Sequence, residues 1–222
     1  MKWVIGKRVT ESLRFLFKNP VIFLLYLPIT LLSLLTYYVS FNTVVSGLFS
    51  TLFIILMLVL TSFIFTFIIF KTAYYGMKKT VSFRQNVDLS IKKFKPLLIL
   101  EAVLVVGMMA FSFIVNLLLL LQTSNFSIAL FIVVAVLFFG LLIKIMLALP
   151  SCVLQGTLGL RESWKITTLP RFFELLILLA GYLLISYLLS FIPYVGYLAE
   201  SLILQPMMII VLTLVYLDYL KK

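Results

Sequence analysis

The chain has 222 residues, of which 64% are hydrophobic and 11% charged, and its mean hydropathy is +1.25. Soluble domains carry about 45–50% apolar and about 25% charged residues, so both a water-soluble globule and a disordered chain are excluded. Eighteen Lys and Arg against seven Asp and Glu leave a net charge of +11.

Six apolar stretches follow in chain order: Val21–Phe41, Leu48–Phe70, Leu97–Leu121, Ile128–Leu149, Phe172–Phe191 and Leu198–Leu217. A bilayer core about 30 Å thick takes about 20 helical residues to cross. Only helices and closed barrels satisfy the backbone in lipid, and a barrel strand would alternate apolar and polar residues. The runs here are continuous, so they read as six transmembrane helices in an all-α, polytopic protein with a single membrane domain covering 1–222.

The charges set an orientation. Every Lys and Arg lies before the first span, between the second and third, around the fourth-to-fifth connection, or at the C-terminus. The connections near Asn42–Gly47, Gln122–Ser127 and Ile192–Ser201 hold none. By the positive-inside rule both termini are cytoplasmic, in a multi-pass protein of the cell membrane. The basic face is read as topology and as attraction to anionic lipid headgroups; nucleic acid is not expected as a partner. Trp3, Tyr74, Tyr75, Trp164, Tyr216 and Tyr219 would form an inner aromatic belt, and Tyr37, Tyr38, Tyr194 and Tyr197 an outer one.

Three segments share a pattern of acidic residue, Ser, basic residues, then Pro ahead of a span: Glu11 to Pro20, Asp88 to Pro96, and Glu162 to Pro170. The prolines are 76 and 74 residues apart. Ile5, Val9, Leu13 and Leu16 form one helical apolar stripe, and Phe83, Val87, Ile91 and Phe94 repeat its spacing. Lys7–Glu11 and Asp88–Lys92 are opposite charges at i, i+4. Such helices lie in the headgroup plane, so Trp3–Phe17 and Phe83–Phe94 are expected along the cytoplasmic surface, with a weaker third copy at Leu158–Thr168. Lys7, Arg14, Lys92, Lys93, Arg161 and Lys165 are then the candidate lipid-headgroup contacts. The chain divides into three repeats, approximately 1–70, 71–149 and 150–222, each a surface helix followed by a hairpin. Their common orientation implies a pseudo-threefold axis along the membrane normal.

Phe15-Leu16-Phe17-Lys18-Asn19-Pro20, Ala73-Tyr74-Tyr75-Gly76, and Leu149 to Gly156 followed by Glu162-Ser163-Trp164-Lys165 resemble a prokaryotic group. It is the six-helix membrane domain that some bacterial glycerophosphodiester phosphodiesterases carry beside a catalytic barrel, with related stand-alone YciC-type proteins. The resemblance implies a fold and a membrane address, and no catalytic residue carries over.

Residues that carry chemistry are scarce. The chain has no histidine, which excludes HExxH metalloprotease chemistry and a Ser–His pair. Its one cysteine, Cys152, excludes an intrachain disulfide and reads as a small buried hydrophobe. No catalytic residue, metal site or cofactor is expected, and the protein is read as not an enzyme.

Charges inside spans are the remaining signal. Glu101, Lys144 and Glu174 each fall about 6–9 Å inside the cytoplasmic boundary. They form, with Asn116 as an interhelical hydrogen-bond donor, a candidate polar cluster in which at least one Glu pairs with a cation, Lys144 first. Pro28 and Pro206 are expected to bend their helices. Ile192–Tyr197 reads as an aromatic turn at the interface. The leading functional reading is a membrane protein that organises or binds lipids or partner membrane proteins. The alternative is a small transporter or channel component with a cytoplasmic-side polar pocket.

Overall fold

The computed structural model describes residues 4–40, 47–120, 125–192 and 194–221. Every element within them is helical. The helices are α1 (Val4–Phe17), α2 (Val21–Ser40), α3 (Gly47–Gly76), α4 (Phe83–Leu120), α5 (Asn125–Ile145), α6 (Ala148–Gln155), α7 (Leu160–Ile166), α8 (Leu169–Ser190), α9 (Val195–Ala199) and α10 (Gln205–Leu220), with a π-helical turn at Glu200–Leu204 between the last two. Five stretches are long and apolar enough to cross a membrane, or six if the bent pair α1–α2 counts as one. Of the expected aromatic belt, Trp3 lies outside the described residues, as do the side chains of Tyr37 and Tyr38; so do Asn42–Ser46 and Gln122–Ser124 of the connections.

Packing is densest at the end that carries the basic residues. There α10 sits at the centre, with all eight residues from Ile209 to Tyr216 buried. A helix buried on every side is what an all-round apolar sequence forms inside a bundle. One core group joins α1, α2, α3, α4, α6 and α10 through residues such as Leu16, Tyr26, Ile68, Leu97, Cys152 and Ile210. A second joins α1, α5, α8 and α10 through Ile5, Ile143, Leu175 and Val215. Toward the opposite end α4 and α5 keep only a narrow mutual contact, where Phe111 and Phe138 stack at 3.9 Å. Their other large side chains there, including Val106, Met109, Phe113, Val136 and Leu137, are exposed. Such surface is tolerated where the surrounding medium is itself apolar.

Helix α1 meets α2 at 88°. The corner is made at Lys18–Pro20, where Asn19 Nδ2 donates to the Phe15 carbonyl at 2.7 Å and so satisfies one of the free carbonyls at the end of α1. The stripe read in α1 does face an apolar neighbour: Ile5 and Leu16 are buried, and Val9 packs beside Ile5 in the second core group. Glu11, however, is bridged by Arg8 at i, i+3 and not by Lys7.

The second copy departs from expectation. Pro96 does not divide a surface helix from a span; α4 is one helix of 38 residues, about 57 Å long against a bilayer core of about 30 Å. An interior proline costs about 3 kcal/mol. Here packing on both sides of it offsets that cost: Asn86, Ser90, Leu97, Leu100 and Glu101 are all buried, and Asn86 Nδ2 donates to the Phe67 carbonyl at 3.0 Å. The helix therefore turns its small polar residues inward, while Phe83 and Ile91, two members of the expected stripe, are 57% and 56% exposed. Asp88 and Lys92 form no ion pair among the described residues. Ser12, Ser90 and Ser163, the serines of the three similar segments, are each fully buried.

The third copy is helical over α7, with Gly159 at φ +66° as its N-cap. A Cβ at Gly159 would approach the Ala148 carbonyl oxygen and the Cys152 nitrogen to 2.7 Å, so α6 and α7 close together only around a glycine. The expected fourth span runs through a two-residue turn at 146–147 into α6, and Ala129–Gln155 together is long and apolar enough to cross a membrane. The expected sixth span carries the π turn: the Gln205 N–H reaches back to the Glu200 carbonyl, one residue before Pro206, which has no N–H to give.

Candidate functional site

Each intramembrane charge finds neutral partners. Glu101, on the inward face of α4, is 8% exposed. Its Oε2 accepts from Ser62 Oγ at 2.7 Å and from Thr61 Oγ1 at 3.2 Å, both on α3. Its Oε1 is buried with no hydrogen-bond partner, and so is the hydroxyl of Tyr26 on α2. The two groups are close enough to interact electrostatically. A buried polar atom without a partner costs free energy, so each is a point at which one water could be held.

Glu174, on α8, is also 8% exposed. Its Oε2 accepts from the Tyr219 hydroxyl of α10 at 2.8 Å. The Arg171 guanidinium lies 4.3 Å from the centre of the Tyr219 ring and donates to the Ile166 carbonyl at 2.9 Å. Arg171 thus reaches Glu174 only through the tyrosine, with a cation–π contact in place of an ion pair. Lys144 Nζ donates to the Thr167 carbonyl at 2.6 Å and lies 5.5 Å from the Trp164 ring centre. Ser163 Oγ returns a bond to the Lys144 carbonyl at 2.5 Å. Lysine 144 therefore fastens α5 to α7 by satisfying a helix-end carbonyl.

The expected pairing is accordingly corrected. Among the described residues neither Glu101 nor Glu174 forms an ion pair, although both point inward. Hydroxyls of α3 and α10 supply enough hydrogen bonding to replace a cation, and they avoid the desolvation of a second charge. Asn116 is on the exposed face of α4 and does not join the others. The four residues occupy separate places: Glu101 against α3, Lys144 against α7, Glu174 against α10, Asn116 outward.

The expected headgroup contacts Lys7, Arg14, Lys92, Lys93, Arg161 and Lys165 are all exposed, and Lys165 lies 4.0 Å from Glu162. Arg8, by contrast, is engaged by the protein. Its Nε and Nη2 donate to the two Asp218 oxygens at 2.6 and 2.5 Å, and its Nη1 donates to Glu11. Hydrogen bonding to Asp218 raises its pKa further above the ordinary arginine value, against the opposing effect of burial.

At the end opposite the basic one, a partly open cavity of about 400 Å3 is lined by Ser33, Leu34, Ser190, Ile192, Tyr194, Tyr197 and Glu200. Glu200 Oε1 accepts from Ser186 Oγ at 2.6 Å, and the adjacent Ser201 exchanges a 2.6 Å hydrogen bond with Thr30 of α2. Tyr194 has φ +60°. Gly196 lies so close to α8 that a Cβ there would meet the Leu189 carbonyl oxygen at 1.8 Å. No motif in the sequence singles out Glu200. Its signal is isolation: residues 19–70 and 102–143 carry no Asp, Glu, Lys or Arg, and 175–217 carry Glu200 alone.

Fold and site together define a protein that is helical in every element among the described residues, with five or six helices of membrane-crossing length there, and in which hydroxyls bond the buried Glu101 and Glu174. No family model, curated protein or solved structure matches the chain.

Proposed function

We propose that this is a non-enzymatic protein of the cell membrane that binds lipid, and organises lipid or a partner membrane protein, at the bilayer surface. The observation that supports it is the inverted face of α4 at the basic end: Asn86 and Ser90 are turned into the protein while Phe83 and Ile91 face outward beside exposed Lys92 and Lys93. The connection at α7 repeats the combination, with Leu160 and Trp164 exposed beside Arg161 and Lys165. Apolar side chains with cations beside them suit the boundary of an anionic bilayer, where each Lys or Arg contributes about 1 kcal/mol. In this reading both termini are cytoplasmic, the three similar segments are repeats, and the phosphodiesterase-associated membrane domains are the group it resembles.

Native mass spectrometry of the protein taken from mixed phosphatidylglycerol and phosphatidylcholine nanodiscs tests this. Wild type should retain phosphatidylglycerol in preference. A variant with Lys92, Lys93, Arg161 and Lys165 all changed to Gln should lose that preference; unchanged retention refutes the reading.

A second reading, a small transporter or channel component, is supported by the buried Glu101 Oε1 and Tyr26 hydroxyl, neither of which has a hydrogen-bond partner. Its measurement is proton flux into proteoliposomes carrying a pH-sensitive dye. Flux that Glu101→Gln abolishes supports it, and flux equal to that of empty liposomes refutes it.

A further inference from the structure

We propose that the cavity around Glu200 is a binding site for an organic ammonium group. This goes beyond the lipid-surface reading, since it concerns the opposite end of the bundle and a ligand of opposite charge.

Charge is the first argument. Glu200 is the only Asp, Glu, Lys or Arg between Glu174 and Asp218, and the stretches 19–70 and 102–143 carry none. Its carboxylate accepts one neutral hydrogen bond, from Ser186, and forms no ion pair among the described residues. A half-buried carboxylate with no cation near it is a site for a cation from outside the chain.

The lining selects the kind of cation. Two tyrosines, Tyr194 and Tyr197, and two serines, Ser33 and Ser190, share the cavity with Glu200. Aromatic faces attract ammonium and quaternary ammonium groups, and hydroxyls accept N–H bonds from a primary amine. A hard metal ion takes about six or more oxygens at short range, and here one carboxylate stands over a volume of about 400 Å3. That volume is within the roughly 300–1,000 Å3 of small-molecule sites.

The backbone keeps the space open. The π turn at Glu200–Leu204 shifts the register of the helix at Glu200. The Thr30–Ser201 bond fastens that turn to α2, and the contact of Gly196 with Leu189 closes α9 onto α8. Tyr194, on the lining, adopts a positive φ that a tyrosine rarely takes.

An ammonium group reaches such a site as a free small amine or as the headgroup of a zwitterionic lipid, and the test separates the two. The full chain in lipid-free detergent is titrated with choline chloride, with sodium chloride at equal ionic strength as the control, and thermal unfolding is recorded. In parallel, native mass spectrometry reads retained phosphatidylethanolamine and phosphatidylcholine from nanodiscs. Two variants are compared: Glu200→Gln, which keeps the size and can still accept from Ser186, and Tyr194→Leu, an exposed position whose change leaves the core intact. Saturable stabilisation by choline that either variant weakens about tenfold or more supports a free-amine site. Choline without effect, together with zwitterionic lipid retained by wild type and lost from both variants, supports a headgroup site. No choline effect and equal lipid retention in all three proteins overturns the proposal, and so does choline stabilisation that is unchanged in both variants.

Discussion

Arg8 and Asp218 join the first helix of the chain to the last across 210 positions of sequence, with two nitrogens of the guanidinium on two oxygens of the carboxylate at 2.6 and 2.5 Å. Arg8 also holds Glu11, so one side chain sets both the rotation of α1 and its seat on α10. A bidentate pair of this kind depends on the planar fork of arginine. Asp218→Asn should cost about 1.5–3 kcal/mol, and Arg8→Lys should lose most of the same amount. Thermal unfolding in detergent, together with protease cleavage within α1, checks this. The exchange of charges in Arg8→Asp with Asp218→Arg should recover part of the loss; equal stability of all four proteins would show that α1 is seated by its apolar face alone.

Tyr219 and Glu174 form the corresponding link between α10 and α8. Tyr219→Phe keeps the ring under Arg171 but leaves a buried carboxylate oxygen without its donor, which costs about 1–3 kcal/mol. Glu174→Gln still accepts from the tyrosine through its amide oxygen and should be tolerated within about 1 kcal/mol. In the double variant the two costs should not add, because the residues share one contact. Chemical unfolding of the three variants against wild type measures the coupling.

Gly196→Ala should be among the most damaging single methyl groups in the chain. The new carbon would meet the Leu189 carbonyl oxygen at 1.8 Å, and backbone cannot yield as a flexible side chain does. Overpacking of a close contact costs about 1–3 kcal/mol. Gly181→Ala is the control, since nothing lies within 4 Å of a Cβ there. The fraction of monodisperse protein after gel filtration, and loss of the outer cavity in a structure of the variant, are the readouts.

Orientation is open to a direct measurement. Thr80→Cys, exposed between α3 and α4, and Ile192→Cys, exposed after α8, place thiols at the two ends, while Cys152 is buried and stays silent. A membrane-impermeant maleimide added to intact cells should label Ile192→Cys and leave Thr80→Cys until the membrane is opened. The reverse pattern would invert the proposed topology.

Apolar medium, helices and separation of charge are all legible along the chain. Twenty-residue apolar runs leave the backbone one way to satisfy its hydrogen bonds, and each such run reads directly as helix. The proline ahead of the fifth span was legible too, and Pro170 sits in the first turn of α8, where its missing N–H costs nothing. Tertiary structure decided whatever depends on which neighbour a side chain meets. Pro96 stays inside α4 because Ser90 and Leu97, on either side of it, are buried in the bundle. The Lys144 cation goes to the Thr167 carbonyl because α7 folds back to present it. One oxygen each of Glu101 and Glu174 is met by Ser62, Thr61 and Tyr219, hydroxyls that composition counts among the bland residues and that only a close helix partner turns into ligands. The same limit hid the cavity at Glu200: charge spacing along the chain shows that this carboxylate is alone, but not that α2, α8 and α9 leave a space in front of it. Periodicity and charge are properties of a segment and are read along it, whereas pairing partners and cavities belong to the approach of segments that are distant in the chain.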